Sequence, residues 1–317
     1  MKAVFLDRNS FPNHIQVHYP EQITEVVEYE STHIDQVNER IKDADIILSN
    51  KAVLNADSIN AAQQLKLVQV MATGINNVDL EACLKRQIAV QNVAGYSNIS
   101  VPEHTFSLLL ALRRNLVSYL EDVRSGKWAD SKHFCFLDYP IKDLAGSTMT
   151  IIGGGMLGQG VSNIALAFGM KVVLAERKGA QTIREGYLSF EEALKTADVV
   201  SLHCPLTDDT RDLISYDEFA LMKPSSLLLN ISRGGLVNEE ALKNALENQS
   251  IAGAAFDVAT QEPMPLDHPF QALTKRPNFL LTPHIAWASD EAMQKLVDIA
   301  MQKISTYIVS LGAEKTS

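Results

Sequence analysis

The stretch "TMTIIGGGMLGQG" (148–160) decides how the rest of the chain is read. An apolar, strand-like run ends in a cluster that sets Gly153, Gly155 and Gly158 in the G-x-G-x-x-G pattern. The physical content of that pattern is a strand that turns sharply into a helix beside a bound dinucleotide. Gly153 permits the tight turn, Gly155 lets the backbone approach a pyrophosphate, and Gly158 lets the helix pack closely on the strand. Met156 and Leu157 lead into that helix, whose free N-terminal amides and positive dipole end suit phosphates. A glycine turn by itself can merely pack tightly. Here, however, the next strand, "KVVLAE" (171–176), ends in Glu176, 18 residues beyond Gly158. A carboxylate at that strand end accepts hydrogen bonds from the adenosine ribose and repels a 2′-phosphate, which favours NAD. Arg177 and Lys178 follow at once and either can serve a phosphate, so NADP stays the alternative.

Working outward, strand-like runs at 148–152, 171–175, 198–203, 226–231, 252–258 and 278–282 are separated by helical patterns. Ser189 with Glu192 and Ser215 with Glu218 have the spacing of helix-start capping boxes. Gly169 stands where a glycine closes the helix that begins near Leu157. Six strands with crossover helices is the count of a complete doubly wound dinucleotide domain. The first hundred residues alternate in the same way, with strands expected at 3–7, 25–29, 45–49, 67–71 and 88–92. They predict a second parallel sheet. Between the blocks, 101–121 reads as one long connecting helix and 125–147 as loop, and a last helical pattern follows Trp287. The expected division is a substrate domain from 1–99 and 288–317, with the dinucleotide domain from 100–287 inserted into it.

Composition narrows the function classes. A chain of 317 residues is long enough for two cores, since single cores stop growing near ~250–300 residues. A net charge of −10 argues against nucleic acid and anionic membranes, which ask for basic surface. Asp7 and Arg8 break the only early apolar run, so no signal peptide is read, and no run has the length of a membrane span. Cys83, Cys135 and Cys204 lie far apart, without metal-ligand or disulfide spacing. These features predict a soluble cytoplasmic protein with no metal.

Charged residues then gather at the strand ends of the second block. Arg233 follows the strand in "LLLNISRGGLVNEEAL", before two glycines and a helix start. Its fixed, permanently charged fork suits a carboxylate. Asp257 and Glu262 follow the next strand, and His284 the last one. In open α/β sheets this edge is where ligands bind, so the three loops can converge. A carboxylate hydrogen-bonded to the His284 ring would fix its tautomer for general acid–base work.

On these residues the chain resembles the D-isomer-specific 2-hydroxyacid dehydrogenase family over essentially its whole length. The resemblance is carried by "ATGINNVDL" (72–80), "VPEHTFSLLLALRRN" (101–115), "GGGMLGQ" (153–159), "LHCPLT" (202–207), "NISRGGLVNEEAL" (230–242), "FDVATQEP" (256–263) and "PHIAWAS" (283–289). The first and last of these look most like its glycerate dehydrogenase (hydroxypyruvate reductase) branch. The resemblance implies a Rossmann dinucleotide domain inserted into a flavodoxin-like substrate domain, and a homodimer, for which the apolar face of helix 101–121 is the candidate surface. It makes His284 the proton donor, Glu262 its partner and Arg233 the group that binds carboxylate and keto oxygen. Thr73 and Gly74 would hold the substrate carboxylate. Asp257 would orient the nicotinamide, with Thr105, Ile231 and Ser232 also at the cofactor, and His203, Cys204 and Pro205 would line the adenine side. Trp287 is read either as lining the substrate pocket or as packing. Thr150 and Gly154 depart from the family's usual residues. The implied reaction is reduction of hydroxypyruvate or glyoxylate. A D-lactate-type or broad 2-keto acid reductase, and a non-catalytic dinucleotide sensor, are the alternatives.

Overall fold

The computed structural model describes residues 1–313, which divide into two compact units, Met1–Ser97 with the chain from Ala288 onward, and Asn98–Trp287. In the first unit a five-stranded, all-parallel sheet is built from β1 (Lys2–Phe5), β2 (Glu25–Glu28), β3 (Ile46–Ser49), β4 (Leu67–Val70) and β5 (Ala89–Gln91). Its strand order is β2-β1-β3-β4-β5, the flavodoxin-like order. Helices α1 (Val37–Ile41), α2 (Ala56–Ala61) and α3 (Leu80–Lys85) make the crossovers. Asn55 and Asp79 cap α2 and α3 by accepting from the Ser58 and Ala82 amides. Central strands such as β3 and β4 are apolar at almost every position because both faces of a parallel sheet are covered.

The second unit opens with α4 (Ser100–Arg113) and α5 (Leu116–Arg124). The single helix expected over 101–121 is therefore two. Asn115 adopts a left-handed φ of 48° and donates from its side chain to the Pro140 carbonyl, so the chain turns instead of continuing. The sheet of this unit comprises β6 (Thr148–Ile152), β7 (Lys171–Ala175), β8 (Tyr187–Leu188), β9 (Val199–Leu202), β10 (Leu227–Asn230), β11 (Gly253–Phe256) and β12 (Phe279–Leu281). It has seven strands, not six, in the order β12-β11-β10-β9-β6-β7-β8. The added strand, β8, is a two-residue edge too short to show a period in sequence. With it in place, β6 to β11 reproduce the doubly wound order, and the direction of winding switches between β6 and β9.

Helices α6 (Met156–Ala167), α7 (Phe190–Thr196), α8 (Tyr216–Leu221), α9 (Glu239–Glu247) and α10 (Pro269–Leu273) cover this sheet. One face buries Phe190, Leu194, Phe219, Leu242 and Phe270; the other buries Phe106, Leu109, Val161 and Ala165. Gly169, at φ 74°, closes α6, as the position of a C-terminal glycine requires. Ser189 accepts from the Glu192 amide, while Glu218 reaches back to the Ser215 amide. Thr150 is fully buried on β6, and its hydroxyl donates to the Ala193 carbonyl of α7. That bond satisfies the polar group where a glycine would carry none.

The last helix, α11 (Asp290–Ala313), belongs to the first unit. Lys303 donates to the Asn92 carbonyl and Tyr307 to the Lys66 carbonyl, which fastens it at the C-terminal and N-terminal ends of that sheet. Among the described residues no helix is long and apolar enough to cross a membrane.

Candidate functional site

Close approach of the backbone dictates two of the three fingerprint glycines. Gly153 has φ +103°, and a Cβ there would stand 2.5 Å from the His203 carbonyl carbon and 2.6 Å from the Cys204 nitrogen. The loop after β6 therefore lies directly on the turn after β9, at the switch between the two halves of the sheet. A Cβ on Gly158 would meet the Gly153 carbonyl oxygen at 2.1 Å, so only glycine lets α6 start under the loop. Gly155 differs: nothing lies within 4 Å of where its Cβ would be. Open space beside an uncapped helix N-terminus, with Met156 exposed after it, fits a pyrophosphate approached by backbone amides.

The neighbouring turns are tied to this loop. Ser232 Oγ donates to the Cys204 carbonyl at 2.7 Å, joining the loop after β10 to the loop after β9. Ile231 is buried beneath it, and burial pushes the Cys204 thiol up to about 11, which leaves it unreactive. His203 presents its backbone to Gly153 while Nε2 meets Ser201 Oγ at 2.8 Å. Its Nδ1 is shielded without a partner, and burial pulls the ring down to about 4. Thr105 is buried inside α4, where its hydroxyl donates to the Val101 carbonyl. Pro205 is exposed on the same turn as Cys204, and its carbonyl accepts from Thr210.

Glu176 stands at the end of β7, but its carboxylate is not open. It is 4% exposed and accepts from the Arg177 amide, the Arg184 amide and the Arg184 side chain. The Arg184 guanidinium, then the Arg177 amide, hold it down at about 2. Lys178 is paired with Glu218 instead, while Arg177 is exposed.

At the far strands, loop packing sets the turn of Arg233, whose Nη1 donates to the Ser232 carbonyl, against the loop of Glu262, and Glu262 in turn meets His284. A Cβ on Gly234 would meet the Ala259 oxygen at 1.9 Å, so the turn carrying Arg233 rests on the loop carrying Glu262. Asn230 holds that turn by donating to the Arg233 carbonyl and accepting from the Ser232 amide. Glu262 Oε1 accepts from the Ala259 amide at 3.0 Å, and Oε2 faces His284 Nδ1 at 2.6 Å. An ionised carboxylate only accepts, so Nδ1 donates and Nε2 is the nitrogen left for chemistry. Both side chains keep partial exposure, 26% for His284 and 35% for Glu262, so a ligand can reach the ring.

The backbone under His284 is specifically held. Its φ is +56°, in the left-handed region that non-glycine residues rarely adopt. Asp257, 1% exposed, accepts from the Ile285 and Ala286 amides and from Thr282 Oγ1. His104 Nε2 meets the same Thr282 hydroxyl at 3.0 Å. Trp287 Nε1 donates to the His284 carbonyl at 3.0 Å, and its ring packs on the α4–α6 side of the core. The tryptophan is thus a fastener of the histidine's own turn.

Sequence reasoning passed over a further support. His268 is buried and accepts from the Phe270 amide through Nδ1, so Nε2 donates to Glu239 at 2.9 Å. Glu239 also accepts from the amide and hydroxyl of Thr260, anchoring the Glu262 loop to the start of α9. Twenty-nine positions separate Glu239 from His268, and no local spacing marks them as partners. Thr73 and Gly74 lie in the first unit on the loop after β4, where Thr73 Oγ1 donates to the Val93 carbonyl and Asn92 donates to the Thr73 carbonyl.

Residues 106–286 match the family model of the D-isomer specific 2-hydroxyacid dehydrogenase NAD binding domain. A Haemophilus influenzae protein assigned as a 2-hydroxyacid dehydrogenase is 46% identical over 98% of this chain and 99% of its own length. Glycerate dehydrogenase of Methylorubrum extorquens is 42% identical over 97% of this chain and 96% of its own. The crystal structure of D-lactate dehydrogenase from Aquifex aeolicus, complexed with NAD and lactic acid, superposes with a TM-score of 0.81 at 26% identity, covering 97% of this chain and 96% of that one. The chain belongs to the D-isomer-specific 2-hydroxyacid dehydrogenase family and is an NAD-dependent oxidoreductase.

Proposed function

We propose that the enzyme reduces small, polar 2-keto acids, hydroxypyruvate and glyoxylate first among them, to the D-2-hydroxy acid. The observation that carries the reading is the 2.6 Å contact of His284 Nδ1 with Glu262, on a loop that the Arg233 turn packs against. The dinucleotide, held at Gly153–Gly158, supplies the hydride when bound. Arg233 pairs with the substrate carboxylate and draws charge from the keto oxygen. His284 delivers a proton from Nε2 to that oxygen as it gains charge, and Glu262 stabilises the ring while it is cationic. Thr73 and Gly74 are the backbone groups assigned to the substrate carboxylate, and Asp257 acts at the nicotinamide side by holding Ile285 and Ala286 in place. The similarity to glycerate dehydrogenase favours hydroxypyruvate over bulkier 2-keto acids.

Turnover of hydroxypyruvate, glyoxylate, pyruvate and phenylpyruvate with NADH tests the substrate class, with the first two expected to lead in kcat/KM. Negligible activity on both would exclude the assignment. His284→Ala should bind NADH normally and lose about 10²- to 10⁴-fold in kcat, the usual contribution of a general acid. Unchanged turnover would remove the proton-donor role, and a wild-type chain that binds dinucleotide but turns over no 2-keto acid would favour a sensor.

The working molecule is a homodimer in the cytoplasm. Free thiols at Cys83, Cys135 and Cys204 suit a reducing compartment. Exposed apolar side chains on α5 and the segment after it supply the dimer surface.

A further inference from the structure

Glu176, Arg184, Tyr187 and Gly154 form a cluster beside the glycine loop that the family pattern alone does not describe. Arg184 pairs with both oxygens of Glu176, Nε to Oε2 at 2.6 Å and Nη2 to Oε1 at 2.8 Å. The same guanidinium stacks on the Tyr187 ring at 3.9 Å. A Cβ on Gly154 would stand 3.0 Å from the Tyr187 hydroxyl, so the small central residue of the triple glycine leaves room for that tyrosine. The ring is therefore a floor on which Arg184 rests, between the pyrophosphate loop and the end of β7. Arg184 keeps 57% of its side chain exposed, whereas Glu176 keeps 5%. What this corner presents to solvent is a guanidinium, with the carboxylate behind it.

We propose that Arg184 sets the dinucleotide preference of this enzyme by screening Glu176 and offering a cation to a 2′-phosphate. A bare carboxylate at this strand end binds the ribose diol and repels the phosphate. A carboxylate already engaged by a planar cation does neither at full strength. The guanidinium is suited to grip a phosphate in two-point fashion, and Arg177 is exposed on the adjacent position as a second cation. The enzyme therefore accepts NADPH as well as NADH, and Arg184, rather than Lys178, is the residue that decides the ratio. Lys178 is committed to Glu218. The proposal rests on the reading of 153–158 as the dinucleotide loop.

Its test is direct titration of the purified protein with NADH and with NADPH, followed by nucleotide fluorescence, which needs no substrate. Wild type should bind both, with dissociation constants within about tenfold of each other. Arg184→Ala should weaken NADPH by about tenfold or more, the loss expected for one charge-assisted hydrogen bond, and leave NADH unchanged or tighter. Glu176→Gln should move the ratio the other way, because it frees the guanidinium. Arg184→Gln, which keeps part of the stem and a polar end without the charge, guards against a folding defect and should behave as Arg184→Ala. An NADPH-to-NADH ratio that stays within about twofold of wild type in both Arg184 variants would overturn the proposal. So would a wild-type protein that binds NADH and not NADPH. A wild-type protein that binds neither would overturn the dinucleotide reading beneath it.

Discussion

His284 sits at φ +56° because the groups around it over-determine its turn, and strain of this kind persists only where that is so. Asp257 clasps the two amides that follow and Trp287 takes the carbonyl. The sequence made the histidine visible as a titratable ring at a strand end near two carboxylates, Asp257 and Glu262, and the family resemblance singled out Glu262 as its partner. It did not show what Trp287 does, since an indole donor to a carbonyl three residues back leaves no periodic mark. Another histidine gives the pH prediction. His203 is held down at about 4 by burial, from an ordinary 6.5. Between those values the unfolded chain binds a proton that the folded chain refuses, so stability rises with pH. The contribution is complete above pH 6.5 and is lost as the pH falls toward 4. His203→Gln should therefore show a smaller drop in Tm than wild type between about pH 7 and pH 4.5, where each unit costs wild type at most about 1.4 kcal/mol. Equal drops would place the acid sensitivity elsewhere.

Among the elements, the strands and crossovers of both sheets were legible because parallel strands buried on two faces read as short apolar runs. The errors fell where local patterns were weakest. Tyr187–Leu188 is too short to have a period, and with it went Arg184, which lies in a stretch of turns. The break at Asn115 was hidden because apolar residues continue at helical spacing through it. The convergence of the functional loops was legible from topology, but its mechanical basis was not. Gly234 carries that basis, since any side chain there collides with the Ala259 carbonyl at 1.9 Å. Gly234→Ala must push apart the turn of Arg233 and the loop of Glu262. The expected cost is about 1–3 kcal/mol or more of stability, as for other overpacked sites. Turnover should fall further than the remaining folded fraction explains, because the turn of Arg233 is then displaced from the loop that holds Glu262 against His284. A variant with wild-type Tm and kcat would show that the contact yields without consequence.

At the scale of the whole molecule, the segment after α5 poses a question of what covers it. The chain from 125 to 143 is tied down: Tyr119 donates to the Tyr139 carbonyl, Lys127 pairs with Asp122 and Asp138, and Trp128 donates to the Phe134 carbonyl. Yet this ordered strap, with α5, exposes Leu116, Val117, Leu120, Val123, Phe134 and Leu137, and Phe134 is 89% exposed. Holding apolar side chains in fixed positions against water costs free energy unless another surface removes them from it. A second copy of the chain is the occupant that a two-fold arrangement supplies without a further partner. The protein should therefore sediment at twice the chain mass at micromolar concentration. Replacing Leu120 and Phe134 together by aspartate should return it to the chain mass, since a stable interface does not tolerate unpaired charge in its core. Both positions are exposed, so the variant should keep its circular dichroism and its affinity for NADH, which separates lost assembly from lost fold. Wild type at the mass of one chain would overturn the dimer, and a double variant that stays dimeric with an unchanged dissociation constant would move the interface off this face.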